Sequence, residues 1–426
     1  MKNIYQLPGG DEVLRYDKSL VVRFAGKRKV LSTGPNNGGY RTDMEAVFNN
    51  DCSTGEKSCE MRAATYSEHM KIVAEDDLGL DRDKSTGLST TVNMDNVSIQ
   101  TMNYEDFSVT AIVTGSIRTN GGRIGDPAIW HEKSEISYSV PPGTINIILY
   151  IDADLSEGAL ARALVSCTEA KTAAIQELLA PSRYSRGIAT GSGTDGTIII
   201  CNADSEVLLT NAGKHCKLGE FIGKTVMKAV KEALYRQSGL CPVYQHDVLH
   251  RMDRFGVTSD TLWEKYITDN RQGEKRADKE KRADEEKRAD EEKSTEAESS
   301  ANKEKAQKEK LFDWECFMDR LDDLKTESVL VTQTSLYAHL IDQFDWGMLD
   351  FNEVQEAAGH ILKVIRASKQ SNKNNVVSLK TSGSESIESA ERPDAHSTVS
   401  AGENKEQCIS WLTDQYMCAL IERMKL

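Results

Sequence analysis

The sequence predicts an α/β fold, with an α+β arrangement as the alternative, in which helices pack on a layered mixed sheet. Segments rich in β-branched residues, which are typical of strands, lie at Val97–Met102, Phe107–Ile117, Glu135–Val140 and Gly143–Ile151. Two long segments with helical periodicity follow these strands. Because a helix that follows a strand can bury its apolar stripe against the sheet, this order indicates a layered domain.

The two predicted helices have clear ends. The first spans Ser156–Leu179, where Ser156 is a suitable N-cap and Pro181 helps to mark the end. The second spans Lys217–Arg236, with apolar residues recurring on one face and Gly239 directly beyond it.

The chain is predicted to divide into three regions: a globular domain over residues 1–270, a charged linker over 271–310 and a helical region over 311–426. The linker repeats a hexad that begins Lys-Arg-Ala-Asp, and a six-residue period builds no apolar stripe on a helix. Within the helical region, residues 370–405 are rich in Ser, Asn, Lys and Glu, which is typical of disorder. The helices could dock on the first domain or on a second subunit, so a homo-oligomer stays open.

Composition argues against several classes of protein. The 53 Lys and Arg against 67 Asp and Glu give a net charge of −14, which repels phosphate backbones, so no nucleic-acid partner is expected. The longest apolar run, Ile145–Ile151, is far shorter than the roughly 20 residues of a membrane-spanning helix, so neither such a helix nor a membrane partner is expected. The N-terminal residues lack the apolar core of a signal peptide. With 9 scattered cysteines and no C-x-x-C, we expect reduced thiols and a cytoplasmic location.

Four polar, glycine-containing segments are candidates for a site, and each could also be an ordinary turn. They are Leu31–Gly39 after a predicted strand at Lys29–Ser32, Asn120–Pro127, Gly143–Asn146, and Ala189–Gly196. The last one contains G-x-G-x-x-G, but a β-branched strand follows it and a short strand, Gly187–Thr190, is predicted before it. A nicotinamide site needs a helix after the glycines, so we reject that interpretation.

Taken in order, the chain's motifs closely resemble the adenosylcobinamide amidohydrolase family of cobalamin salvage over about residues 10–267. The segments that carry the resemblance are Ser32–Gly39, Gly87–Val92, Asn120–Ala128, Gly143–Ile148, Thr168–Ala174, Ala189–Gly196 and Lys217–Gly223. The chain departs from the family pattern at Thr33, at Ser192, which keeps a hydroxyl, and more clearly at Asn49–Cys52, to which no role is assigned.

The resemblance implies hydrolysis of the amide that joins a corrin propionate to aminopropanol. The products would be adenosylcobyric acid and the amino alcohol, and the reaction would let a cell feed salvaged cobinamide into its own cobalamin synthesis. It implies a small corrinoid substrate and no resident cofactor, because cobalt enters with the corrinoid. Two alternatives stay open: a corrinoid-binding or sensing protein without turnover, and an unrelated hydrolase or acyltransferase that uses the Gly191 segment.

Amide hydrolysis needs a nucleophile, an oxyanion stabiliser and an acid for the leaving amine. A Ser or Thr could attack, or a carboxylate could activate water, and we favour the second route. Asp195 is the first candidate base and Asp126 the second. Thr194, Arg123 and backbone N–H groups of residues 191–196 would hold the oxyanion.

The remaining candidates complete the predicted site. His215 could protonate the leaving amine or orient Asp195. Glu169 and Lys171 lie two residues apart on a helix, so they point to different faces. One of them could face the site, or both could anchor the helix. Substrate contacts are expected from Ser32, Asn37, Gly38, Gly39, Arg123, Asn146, Glu169, Lys171, Gly191, Ser192 and Gly193.

A metal site is not expected. His246 and His250 have the i,i+4 spacing of zinc ligands, but Asp247 stands where a zinc protease has Glu, and no third ligand follows. The apolar neighbours of these histidines favour a packed helix. Asp394–Val399 only partly matches a cobalt-ligating loop, and we interpret that match as chance.

Overall fold

A computed structural model describes residues 1–53, 60–128, 141–270, 314–367 and 401–425. The chain forms two compact units, Met1–Gln245 and His246–Leu426. The predicted boundary at 270 therefore moves back to Gln245. The reason is that apolar side chains of residues 248–262 pack in the core of the second unit. The amino-acid composition does not change at Gln245, so the sequence does not reveal this boundary. The predicted linker and most of the predicted insert lie outside the described residues.

The first unit contains two main sheets. In chain order its strands are β1 (Lys2–Gln6), β2 (Glu12–Arg15), β3 (Ser19–Arg23), β4 (Arg28–Ser32), β5 (Gly39–Arg41), β6 (Ala46–Asp51), β7 (Ser85–Thr90), β8 (Ser98–Tyr104), β9 (Phe107–Gly115), β10 (Gly121–Gly122), β11 (Ile145–Ile151), β12 (Asp154–Leu155), β13 (Gly191–Ser192), β14 (Gly196–Asn202) and β15 (Leu208–Leu209). Its helices are α1 (Tyr66–Ile72), α2 (Glu157–Glu177) and α3 (Lys217–Ser238).

Sheet A has the strand order β1-β2-β3-β6-β7, and sheet B has the order β5-β4-β14-β11-β9-β8. Both sheets are mixed, because β6–β7 and β11–β14 are parallel pairs and the other pairs are antiparallel. Small two-stranded pairs, β10–β13 and β12–β15, join loops at the two ends of sheet B.

The layers of the unit are defined by the clusters of buried side chains between them. One face of sheet A packs on one face of sheet B through side chains such as Val22, Val47, Ile148 and Ile198. The other face of sheet B is covered by α2 and α3, and the other face of sheet A is covered by α1. The unit is therefore a four-layer arrangement of helix, sheet, sheet and helices, which confirms the predicted layered α/β class.

The predicted elements of the first unit are largely confirmed. The side chain of Ser156 caps α2 by accepting the Ala159 N–H at 3.3 Å. Gly239 ends α3 in the left-handed region at φ 72°, which favours glycine. The predicted strand at Glu135–Val140 lies outside the described residues.

The second unit is helical in the residues that the structure describes. Its helices are α4 (Val248–Met252), α5 (residues 259–270), α6 (residues 314–324), α7 (Ser328–Asp345), α8 (Phe351–Ala367) and α9 (Ala401–Lys425). They enclose an apolar core that includes the fully buried Tyr337 and Tyr416. Arg254 and Asp342 form a largely buried ion pair within it. The predicted C-terminal helical region is thus a unit with its own core.

Candidate active site

The four predicted polar segments meet at one end of sheet B. The segment after β4 reaches the start of β14, where the Thr33 N–H donates to the Thr197 carbonyl at 3.0 Å. The segment after β9 reaches the start of β11, where the Ser116 N–H donates to the Thr144 carbonyl at 2.9 Å. Antiparallel β4–β14 and β9–β11 pairing causes this, because it sets the end of one strand beside the start of the other.

The Ala189–Gly196 segment contains a short strand, a tight turn and the start of a second strand. The short strand is β13 at Gly191–Ser192, inside the glycine motif, and not at the predicted Gly187–Thr190, where Ile188 forms only an isolated bridge. β13 pairs with β10, which brings Ser192 opposite Gly121. No helix follows the glycines, since β14 begins directly at Gly196. This geometry is incompatible with the dinucleotide-binding motif.

The Asp195 carboxylate accepts four hydrogen bonds that hold this turn together. Its Oδ1 accepts the Ile145 N–H at 2.9 Å and the Ser192 hydroxyl at 2.7 Å. Its Oδ2 accepts the Ser192 N–H at 3.1 Å and the Lys171 ammonium. Since these four donors occupy the usual acceptor positions of a carboxylate, a water could bind only by displacing one of them.

Lys171 and Glu169 differ in the way that their spacing predicts. Lys171 and Asp195 form an ion pair in which the side chains are only 12% and 11% exposed. Glu169, on another face of α2, is exposed to solvent. Lys171 therefore joins α2 to the turn, and two further contacts from α2, Thr172 to the Thr190 carbonyl and Gln176 to the Ala189 carbonyl, reinforce this attachment.

The two hydroxyl groups of the turn are held differently. The Ser192 hydroxyl donates to Asp195 and accepts the Thr194 N–H at 3.3 Å. The Thr194 hydroxyl donates to the Gly143 carbonyl at 2.9 Å, which ties the turn to the residues before β11. Ser192 is half-buried and Thr194 is exposed, so both can be approached from outside.

Gly191 and Gly193 differ in the space that surrounds them. A Cβ on Gly191 would collide with the Asp195 carboxylate and the Lys171 ammonium. A Cβ on Gly193 would meet only Asn120 Oδ1, at 3.9 Å. Gly191 thus makes room for the ion pair, whereas Gly193 is an exposed position that a bulky ligand could approach.

Asp126 holds the neighbouring loop. Its Oδ2 accepts the Arg123 N–H at 2.7 Å and the Ser182 hydroxyl at 2.6 Å. Burial acts to raise the pKa of Asp126, but hydrogen bonds from Ser182, Ser185 and the Arg123 backbone outweigh it, so the pKa of this carboxyl lies below its usual value. The Arg123 side chain is exposed, next to Gly187.

The Ser32–Gly39 segment is attached to β7 of the other sheet. The Ser32 hydroxyl contacts Thr86 Oγ1 at 2.9 Å and accepts the Gly34 N–H at 2.9 Å. The Asn37 amide donates to the Arg82 and Ser85 carbonyls. A Cβ on Gly38 would collide with the Gly34 carbonyl, while Gly39 has φ 87° and open space around it. These residues shape the loop, and Gly39 leaves open space where a side chain would stand.

Asn146 and Asn49 form a bridge between the sheets that the sequence did not reveal. Asn146 Nδ2 donates to Asn49 Oδ1 at 2.8 Å and to the Ser89 carbonyl at 2.9 Å. Asn146 Oδ1 accepts the Gly196 N–H at 3.1 Å, and Asn49 donates to Thr114 Oγ1 at 2.8 Å. The amides are buried and their groups are used internally, so they fix the start of β14 rather than reach outward.

His215 does not join this cluster, which corrects its predicted partnership with Asp195. It is exposed beside a cavity of about 360 Å³ near the start of α3, together with Arg162, Asn211 and Lys214. Arg162 lines this cavity, whereas Lys171 contacts Asp195. These two residues lie about 13 Å apart along the axis of α2, so the cavity and the turn are at different places along the helix. The reason is that β14 runs away from Asp195 before the chain turns back into the segment that carries His215.

The histidine pair of the second unit does not have the expected helical geometry. Asp247 is the N-cap of α4 and accepts the Leu249 and His250 N–H groups, so His246 precedes the helix. Across the described ranges, no group of three or more His, Cys, Asp or Glu side chains could hold a metal ion. No helix in those ranges is long and apolar enough to cross a membrane.

Fold and site together define a layered α/β domain with a polar glycine-turn cluster at one end of its second sheet. The family model described as adenosylcobinamide amidohydrolase matches residues 4–242, which is more than half of the chain and nearly all of the first unit. The chain belongs to this family, which confirms the resemblance drawn from its motifs. The second unit lies outside the matched residues.

Two curated relatives match about half of the chain. A protein of Methanocaldococcus jannaschii named as uncharacterized is 34% identical over 53% of this chain and 89% of its own length. A protein of Methanosarcina mazei named adenosylcobinamide amidohydrolase is 28% identical over 51% of this chain and 94% of its own length. A crystal structure of a Pyrococcus horikoshii protein is 14% identical, covering 55% of this chain and 81% of that one, with a TM-score of 0.23 that supports no structural argument.

Proposed function

We propose that this chain hydrolyses the amide between a corrin propionate and aminopropanol in adenosylcobinamide. The products are adenosylcobyric acid and the free amino alcohol, and the reaction serves corrinoid salvage. The observation that carries the proposal is the family match over residues 4–242, within which all four polar segments meet at one end of sheet B. The Methanosarcina mazei relative bears the name of this activity.

The cluster contains the kinds of group that the chemistry requires. Hydroxyl and carboxylate groups meet at Ser192 and Asp195, and the exposed backbone at Gly193 offers an N–H to a developing oxyanion. Arg123 and Thr194 lie on the exposed side, where they can contact the corrinoid. In this proposal the only metal ion is the cobalt that enters with the substrate.

The second candidate is a corrinoid-binding protein without turnover. The observation that favours it is the saturated Asp195 carboxylate, which in this geometry anchors the turn. Such a protein would bind adenosylcobinamide at the same cluster and release it unchanged.

One experiment separates these candidates. The full chain is incubated with adenosylcobinamide, with and without a chelator, and corrinoid binding and product masses are followed in the same preparation. Adenosylcobyric acid and aminopropanol in both arms support the proposal, whereas tight binding without product supports the binding protein. Equal cleavage of N-acetylaminopropanol, which lacks the corrin, would indicate a general amidase. Loss of activity with the chelator and its return with zinc would overturn the metal-free route.

A further inference from the structure

We propose that the Ser192 hydroxyl is the nucleophile, and that Asp195 accepts its proton while Lys171 holds Asp195 in place. This proposal rests on the proposed amide hydrolysis and replaces water activation by Asp195 with attack by a side chain. It starts from the 2.7 Å hydrogen bond between Ser192 Oγ and Asp195 Oδ1. A nucleophile within hydrogen-bonding reach of a base, which a third group orients, is the usual arrangement for covalent catalysis.

The occupied acceptor positions of Asp195 favour the serine over a water molecule. A water would have to displace the Ile145 N–H, the Ser192 groups or Lys171 before it could donate to the carboxylate. The Ser192 hydroxyl already donates there, so the proton that must move lies on the right atom before the substrate arrives.

Other hydroxyl groups at this end of sheet B are less suitable. The Thr194 hydroxyl donates to the Gly143 carbonyl, away from a carboxylate. Ser182 donates to Asp126 at 2.6 Å, but it is only 4% exposed. Ser192 combines a carboxylate partner with partial exposure.

The backbone next to Ser192 can stabilise the oxyanion. Gly193 N–H follows the proposed nucleophile directly, and within the part of the chain that the structure describes it donates to no atom. A Cβ at Gly193 would make only an ordinary van der Waals contact, with Asn120 Oδ1 at 3.9 Å, so the substrate carbonyl can approach from this side. An N–H group aimed at the developing charge is the central element of an oxyanion hole.

The proposed reaction has two balanced steps. In the first, Ser192 Oγ bonds to the amide carbon, its proton passes to Asp195, the C–N bond breaks, and Asp195 gives the proton to the amine nitrogen. The result is an ester of Ser192 and free aminopropanol. In the second, water attacks the ester carbon, its proton passes through Asp195 to Ser192 Oγ, and the C–O bond to serine breaks to release the carboxylic acid.

The test compares Ser192→Ala with Ser98→Ala in the full chain. Ser98 also donates to a carboxylate, Glu232 at 2.7 Å, but it lies on β8 outside the cluster, so its variant controls for loss of a serine–carboxylate bond. We expect Ser192→Ala to lower kcat by roughly 10³-fold or more with corrinoid affinity and melting temperature retained. Ser98→Ala should keep wild-type turnover.

A second measurement covers the case in which Ser192→Ala does not fold. Hydroxylamine added to the turning-over wild-type chain should divert part of the product to a hydroxamate, and acid quenching should reveal the acyl adduct on the Ser192 peptide. Turnover of a folded Ser192→Ala variant within about tenfold of wild type, or the absence of both adduct and hydroxamate, overturns the nucleophile assignment alone. An inactive wild-type chain overturns the proposed function instead.

Discussion

The variant Asp195→Asn tests whether the Asp195 carboxylate takes part in the reaction as well as holding the glycine turn in place. Its ion pair with Lys171 is nearly buried, at 11% and 12% exposure, so solvent screens it little. Removing one charge of such a pair leaves the other uncompensated, which typically costs about 3–5 kcal/mol. We therefore expect Asp195→Asn to lower the free energy of unfolding by about 3 kcal/mol and kcat by roughly 10²-fold or more.

A double variant separates the two effects. Lys171→Met removes the uncompensated ammonium and keeps an apolar stem, so Lys171→Met/Asp195→Asn should recover most of the lost stability. It should not recover kcat, because the proton acceptor is still missing. Urea denaturation and product formation are measured on the same preparations, with Lys224→Met, which breaks an exposed pair with Glu220, as the control that hardly changes either quantity. Activity that returns together with stability would refute the chemical role and leave Asp195 as an anchor.

Three further predictions follow from single features of the structure. Burial, aided by the charge of Arg62, lowers the pKa of His69 below its usual 6.5, so the unfolded chain binds the proton more readily. Stability should therefore fall as pH drops below that value, and urea titrations at about pH 7.5 and about pH 5.5 should show a smaller fall for His69→Gln. Asn146→Ala leaves the Gly196 N–H without its acceptor and Asn49 Oδ1 without its donor, so the free energy of unfolding should drop by at least about 2 kcal/mol. The exposed Asn103→Ala variant should show no such drop. A fragment of residues 1–245 should be soluble and as active as the full chain, whereas a fragment of residues 1–270 should aggregate more, which light scattering measures, because it exposes apolar residues of the second core.

The sequence predicted the elements whose signals are local. β-branched runs predicted β9 and β11, and capping residues with helical periodicity predicted α2 and α3 to within a few residues. The glycine-containing segments were recognised as a set, and strand pairing brings them together.

Local sequence patterns did not predict contacts between residues that are far apart along the chain. Asn49 lies 97 residues from Asn146, and nothing in the short segment around it indicates a bridge between two sheets. The spacing of Glu169 and Lys171 predicted different faces for them, but not that Asp195 would take Lys171 as its partner. His215 was assigned to the site from its position just before the second predicted helix, and the length of β14 places it elsewhere. The boundary at Gln245 was missed because the residues after it are as apolar as those before it.

We expect water to add across the corrinoid side-chain amide at the Ser192–Asp195 turn. The most direct measurement is turnover of adenosylcobinamide by the full chain in ¹⁸O-labelled water, with the products resolved by mass spectrometry. We predict adenosylcobyric acid that carries one labelled carboxylate oxygen, together with unlabelled aminopropanol in equal amount. Intact adenosylcobinamide after prolonged incubation, or a label that appears in the amino alcohol, would contradict it.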